Sequence, residues 1–154
     1  KMKNIIIVDI DGTIAKVGDR LKYLEQEPKD WDSFYEHCDE DEPIKPIISI
    51  LNYIASYEFH DFYIVTGRRE SVFRKTRDWL FNAFDFANVH IYEDQILMRP
   101  NGDTRHDTIV KPELSEKAGT ELDNIFCVFE DRNSMVKKWR ELGLTCLQVA
   151  DGDF

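Results

Sequence analysis

Short apolar runs, each stopping at a polar or charged cluster, set the tightest limit on what this chain can fold into. They occupy residues 5–10, 62–66, 89–92, 125–130 and 145–150. Most are rich in β-branched or aromatic residues, as strands buried on both faces are. Helical periodicity fills the gaps. Ile47, Ile50, Leu51 and Ile54 share one helical face, with Pro46 near its start. Val72, Phe73, Thr76, Trp79, Leu80 and Ala83 repeat that spacing. So do Met135, Val136, Trp139 and Leu142, after which Gly143 can end the helix. Phe73, Trp79 and Trp139 are expected in the core, because aromatic stripes at this spacing usually pack there. Alternation of strand and helix predicts an α/β fold with a doubly wound, mostly parallel five-stranded sheet. At 154 residues the chain is expected to be one domain, 1–154, with enough length to bury a core without staples.

Two segments interrupt the alternation. Residues 16–44 form a small polar insertion after the first strand, either a small cap or a surface excursion. Its acidic run, Asp39-Glu40-Asp41-Glu42, is expected to be a solvated face. In 96–108, Pro100-Asn101-Gly102-Asp103 between short β-like stretches predicts a hairpin.

Charge and cysteine content narrow the function. Twenty Lys and Arg against 30 Asp and Glu give a formal charge of −10. That disfavours a broad basic face for long nucleic acid, while leaving room for a local basic pocket or a small anionic substrate held with a metal ion. Cys38, Cys127 and Cys146 are odd in number and lack a CxxC, so neither a disulfide framework nor a zinc site is expected. Cys127 and Cys146 read as small buried hydrophobes. His37, His60, His90 and His106 have no metal-ligand spacing, and His106 is expected to be solvated. No apolar stretch approaches the ~18–20 residues of a membrane span. The run at 5–10 is too short for a signal core, and Asp9 interrupts it. The expectation is a soluble, cytoplasmic protein without membrane contact.

The strongest chemical signal is Asp9-Ile10-Asp11-Gly12-Thr13, directly after the first apolar run. A carboxylate at the end of a buried strand needs a partner. Two at i and i+2 repel unless a cation lies between them or one is protonated. Mg²⁺ suits hard oxygen ligands, and Gly12 permits a sharp turn whose amides can approach an anion. A calcium loop counted from Asp9 fails, since its sixth position is Ile14 and its twelfth Arg20. The second strand ends in Thr66-Gly67-Arg68-Arg69, where a hydroxyl and free amides can hold a phosphoryl oxygen. Lys111 stands before Pro112-Glu113 at an expected helix start, where a cation can neutralise a transferred phosphate. The strand at 125–130 ends in Glu130-Asp131-Arg132, a second acidic pair that completes a metal site. In an open α/β sheet these strand ends converge on one crevice.

That ordered set resembles the haloacid dehalogenase superfamily of phosphohydrolases along essentially the whole chain. The resemblance implies a covalent mechanism. Asp9 would attack phosphorus to give an aspartyl-phosphate. Asp11 would protonate the leaving oxygen and then activate water. Thr66 would bind the phosphoryl group, and Lys111 would stabilise Asp9 and the phosphate. Mg²⁺ would be held by Asp9, the Asp11 backbone carbonyl and Asp131. Glu130 stands where many members carry Asp, so it would act directly or through water.

A narrower resemblance is to the phosphatase domain of bacteriophage polynucleotide kinase-phosphatases. It rests on 65–68, on Gly102-Asp103-Thr104-Arg105 with Asp107 and Val110-Lys111, and on Glu130-Asp131-Arg132 with the tail 148–154. It implies removal of 3′-phosphates from polynucleotide ends or nucleotides, with Gly67, Arg68, Arg105, Asp107 and Arg132 as substrate contacts. No phosphate loop of the Gly-x-x-x-x-Gly-Lys-Ser/Thr type is present, so no kinase activity is expected from these residues. The acidic charge favours a phosphorylated nucleotide or a short single-stranded 3′ end. The alternatives are a broad phosphatase acting on sugar phosphates or 5′-nucleotides, and a phospho-accepting receiver domain. The motif order argues against the receiver, which carries its phosphorylated Asp alone on a later strand.

Overall fold

In the computed structural model, which describes residues 3–84 and 88–154, strand β1 (Ile5–Val8) lies at the centre of the sheet. Its four residues are all buried, because both faces of a parallel sheet are covered. Ile6 and Val8 enter one core and Ile5 and Ile7 the other, following the two-residue period of a strand.

The chain leaves β1 through a small excursion. It contains strand β2 (Ala15–Lys16), helices α1 (Lys22–Glu25) and α2 (Trp31–Glu36), and strand β3 (Glu42–Pro43). Strands β2 and β3 pair antiparallel, Ala15 opposite Pro43, and so close a neck. The insertion is therefore a folded cap rather than a surface excursion. Asp39, Glu40 and Glu42 are solvated as expected. Asp41 corrects that expectation: its side chain is only 4% exposed, because Arg20 pairs with it.

Helix α3 (Lys45–Tyr57) follows, with Pro46 in its first turn. Its buried residues are Ile48 and Leu51, while Ile50 faces out, so the expected stripe is rotated by part of a turn. Strand β4 (Asp61–Arg69) pairs with β1 in parallel, Ile6 opposite Phe62. Helix α4 (Phe73–Phe84) buries Thr76, Trp79 and Leu80 as its periodicity predicts.

The stretch 89–92 is a correction. Val89 and Ile91 are buried, but no strand forms there. Instead Gln95 caps a short turn, its side chain accepting from the Tyr92 amide at 2.9 Å. The edge strand is β5 (Ile96–Arg99), which pairs parallel to β4 with Ile64 opposite Ile96. The expected hairpin is absent for the same reason. The turn at Pro100–Asp103 exists, with Gly102 at φ 84°, but it leads from a parallel edge strand into helix α5 (Asp107–Lys117). Helix α5 thus starts at Asp107, and Lys111 lies in its second turn rather than at its start.

Strand β6 (Ile125–Glu130), helix α6 (Asn133–Glu141) and strand β7 (Cys146–Gln148) complete the chain order. The sheet runs β5-β4-β1-β6-β7, and every pairing in it is parallel. The order reverses at β1, so a crevice opens beyond the carboxyl ends of β1, β4 and β6. The three cysteines are free and buried, as small hydrophobes are. No helix among the described residues is long and apolar enough to cross a membrane.

Candidate active site

At the end of β1 the chain turns sharply, because the amides of Thr13, Ile14 and Ala15 all donate to the Ile10 carbonyl at 3.0 Å. Gly12 makes that turn at φ 82°, a region that penalises residues with a Cβ. The Asp9 carboxylate is held at both oxygens. Thr13 Oγ1 donates to Oδ2 at 2.9 Å, and Lys111 Nζ donates to Oδ1 at 2.8 Å. Lys111 Nζ also donates to Glu130 Oε2 at 3.0 Å, so α5 delivers one ammonium between β1 and β6. Asp131 joins them: Asp9, Glu130 and Asp131 each offer an oxygen, all within 4.8 Å of one another.

Electrostatics follow from that crowding. Burial and then the Asp9 charge push Glu130 well above the usual carboxylate range. The same causes push Asp131 up to about 7. Burial alone would lower Lys111, but Asp9 and Glu130 outweigh it and keep the ammonium charged. One ammonium pairs with Asp9 and Glu130 and none pairs with Asp131, so three buried carboxyl groups crowd hard oxygen donors that a cation would relieve. This donor set fits a small divalent cation such as Mg²⁺.

Asp11 has a different environment. Its Oδ1 accepts from Arg20 Nη2 and from Arg68 Nη2, both at 2.7 Å. Burial would raise Asp11, yet Arg68 and then Arg20 hold it below its usual range. Arg20 is itself gripped by Asp41, with Nε to Oδ1 at 2.9 Å and Nη2 to Oδ2 at 2.7 Å. Trp79 Nε1 donates to the Asp41 carbonyl at 2.7 Å, which ties the network to α4.

The remaining sequence candidates spread around one cavity of about 1230 Å³. Thr66 and Gly67 line it at the end of β4. A Cβ on Gly67 would lie 2.8 Å from Asp107 Oδ1, so glycine lets the start of α5 approach the strand. Asp107 is bridged by Arg99 and by Arg132, the latter at 3.2 Å. Arg105 stands at the rim, bound to Asp103 and Glu113. Arg68 does not line the cavity: its side chain is buried behind Asp11 and reaches Thr76 at 3.3 Å. His106 is exposed and caps α5, accepting from the Thr108 amide at 3.2 Å. The tail also reaches the site. The Asn133 amide donates to the Gly152 carbonyl at 2.8 Å, and Arg132 Nε donates to the Phe154 carbonyl at 2.9 Å.

Sequence reasoning missed Arg20 and Asp41, which carry no spacing signal inside a polar insertion. It also missed Arg69 and Arg99 and the cap aromatics Trp31, Phe34 and Tyr35, all of which line the cavity.

Gly12→Ala should disable the acidic cluster with modest damage to the fold. A Cβ there would lie 2.1 Å from Asp131 Oδ2, and the positive φ adds about 1–2 kcal/mol. The carboxylate can swing aside, but then it leaves Asp9 and Glu130. Calorimetric titration with Mg²⁺ should show binding lost, while the thermal transition shifts by only a few degrees.

The profile of the polynucleotide kinase PNKP phosphatase domain matches residues 3–154. A protein of Autographa californica nuclear polyhedrosis virus, described as a candidate bifunctional polynucleotide kinase/RNA ligase, is 29% identical over 144 residues. The match covers 92% of this chain and 18% of that protein. A chain in a structure of the Pnkp1/Rnl/Hen1 complex is 26% identical with a TM-score of 0.77, covering 99% of this chain and 48% of that one. A haloacid dehalogenase-like hydrolase from Streptococcus pneumoniae, 15% identical, has the same fold with a TM-score of 0.60, covering 94% of this chain and 83% of that one. The chain spans less than half the length of the viral relative and of the Pnkp1 complex chain.

Proposed function

Since the chain belongs to the haloacid dehalogenase-type phosphatase domain family of polynucleotide kinase PNKP, we propose that it removes 3′-phosphates from polynucleotide ends or nucleotides. We propose further that it depends on Mg²⁺ and works through an aspartyl-phosphate. One observation carries the reading: Asp9 stands at the tip of β1 with Lys111 Nζ at 2.8 Å and two further carboxylates beside it, open to a large cavity.

In this reading an Asp9 oxygen attacks phosphorus, the bond from phosphorus to the 3′ oxygen breaks, and the leaving oxygen takes a proton. Water then attacks the same phosphorus, releasing inorganic phosphate and restoring the Asp9 carboxylate. Lys111 balances the charge on Asp9 and on the transferred group. Thr66 and the Gly67 amide receive phosphoryl oxygens. Asp11, ionised between its two arginines, has the form needed to take a proton from water in the second step. For the first step it must enter protonated, at the expense of those arginine contacts. Asp9, Asp131 and the Asp11 carbonyl would hold Mg²⁺, with Glu130 direct or through water. Bound there, Mg²⁺ offsets the negative charge that otherwise keeps a phosphate ester away from three carboxylates.

The test compares phosphate release from a 3′-phosphorylated oligonucleotide, its 5′-phosphorylated counterpart and a 3′-mononucleotide, each with Mg²⁺ and with EDTA. Preference for the 3′ esters and silence in EDTA are expected. Equal release from 3′ and 5′ ends would remove the 3′ assignment, and undiminished release in EDTA would remove the cation.

A pH dependence follows from Asp131. Held near 7, it keeps a proton at mild acidity, and that proton competes with the cation. Mg²⁺ affinity should therefore climb as pH rises through about 7, and the Glu130 carboxyl, pushed up as well, adds to that climb. Calorimetry between pH 5.5 and 8.5, which reads protons released on binding, checks this directly.

A further inference from the structure

The cap presents an apolar wall to a cavity whose other surfaces are mostly charged. Trp31, at the start of α2, is 41% exposed although it lines that cavity. Its ring lies 6.1 Å from Tyr35 at 25°, and the buried Phe34, 5.8 Å away and edge-on at 90°, supports this shelf from behind. Leu21, 45% exposed, extends it. The shelf adjoins the reaction centre. The Arg20 guanidinium lies 4.2 Å over the Phe34 ring, and the same group binds Asp11 at 2.7 Å.

A cation sits on the shelf. The Arg69 guanidinium is 5.0 Å over the Tyr35 ring, and it pairs at 3.0 Å with Asp32, whose side chain is 94% exposed. An ion pair so exposed contributes little, and a phosphate oxygen can displace it. Lys29 Nζ stands 6.0 Å from the Trp31 ring and adds to the positive field. The cavity, at about 1230 Å³, exceeds the ~300–1,000 Å³ usual for a small-molecule pocket. A sheltered aromatic face beside an arginine suits a ligand with a flat ring and an anion a few ångströms apart.

Resting on the 3′-phosphatase reading, we infer that Trp31, backed by Phe34 and Tyr35, binds the base of the terminal nucleotide, and that Arg69 binds the phosphate on that nucleotide's 5′ side. The enzyme thereby distinguishes the end of a single-stranded polynucleotide from a free 3′-mononucleotide. The 3′-phosphate lies at Asp9, the base lies on the cap, and the next backbone phosphate replaces Asp32 on Arg69. This footprint is one nucleotide and two phosphates, small enough for a protein of charge −10.

The experiment measures kcat/KM on a nucleoside 3′,5′-bisphosphate, the matching nucleoside 3′-monophosphate, and glycerol 2-phosphate, which has neither base nor second phosphate. Wild type should prefer the bisphosphate over the 3′-monophosphate by about 10-fold or more. Arg69→Gln should erase that preference, and raising the salt should erode it in wild type. Trp31→Ala should lower both nucleotide rates by about 10-fold, and Trp31→Phe should restore most of the loss. Both sets of variants should match wild type on glycerol 2-phosphate, which also shows that they fold. Equal wild-type rates on the two nucleotides, or variants that leave the preference intact, would overturn the subsite while leaving the 3′-phosphatase reading in place. No release of the 3′-phosphate from either nucleotide would overturn the reading itself.

Discussion

Asp9→Asn should reduce kcat/KM by at least about 10⁴-fold while leaving the fold intact. The amide has nearly the shape of the carboxylate, so the Thr13 hydroxyl keeps its acceptor at the same position. In the proposed mechanism, what disappears is the anion that would attack phosphorus. The Lys111 ammonium would lose one of its two carboxylates but keep Glu130 at 3.0 Å. Removing one negative charge from a group of three crowded carboxylates also relieves repulsion. The melting temperature without metal should therefore stay level or rise. Single-turnover phosphate release beside a thermal melt separates the two effects. Wild-type turnover in the variant would exclude Asp9 as nucleophile, and a collapsed melt would mean that the carboxylate is needed for folding.

Arg20→Met should have the largest effect on stability, lowering it by about 3–5 kcal/mol. Arg20 is 3% exposed and offers its guanidinium to both Asp41 and Asp11. Without it, Asp41 keeps only Arg68, at 3.7 Å, and stays buried beside Asp11. Burial already raises Asp41 with Arg20 in place, so the variant should push it further. A raised carboxylate stabilises the folded chain while protonated and loses that contribution as pH rises through its folded pKa. The stability loss should accordingly be smaller at pH 4.5 than at pH 7.5, as measured by urea unfolding at both. The double variant Arg20→Met/Asp41→Leu should recover stability, since no buried charge is left unpaired. Its activity should stay low, because Asp11 is then oriented by Arg68 alone. Unchanged unfolding in the single variant would show that the network contributes nothing to the fold.

The parts legible in the sequence are those where one local pattern decides the outcome. A continuous apolar run must be covered on both faces, so β1 and β6 could be read directly. Asp9 and Asp131 follow from them, because each stands next to the end of such a strand, whereas Thr66 lies three residues inside β4. The misreadings arose where two local patterns were equally good. Val89 and Ile91 alternate like a strand and are buried like one, yet 96–99 holds the ladder to β4. With that strand misplaced, a turn between β5 and α5 looks like a hairpin, and Arg99 goes unnoticed at a strand end. Asp41 was hidden for another reason. Within a run of four acids, only its pairing with a residue 21 positions away distinguishes it from its solvated neighbours. Arg68 was visible as a charge beside Thr66, but which face of β4 it occupies depends on a register shift between Thr66 and Arg69.

The neck formed by β2 and β3 brings both ends of the cap to one point on the body, Ala15 beside Pro43. Such a junction looks like a natural place to graft a different cap and so redirect an old catalyst to new substrates. Arg20 and Asp41 work against that simple exchange. Both belong to the grafted segment, yet Arg20 reaches across to Asp11 and, after Arg68, helps hold its carboxyl below the usual range. A swap made at the neck alone would therefore alter rate and selectivity together, and a transplanted cap would have to bring its own partner for Asp11.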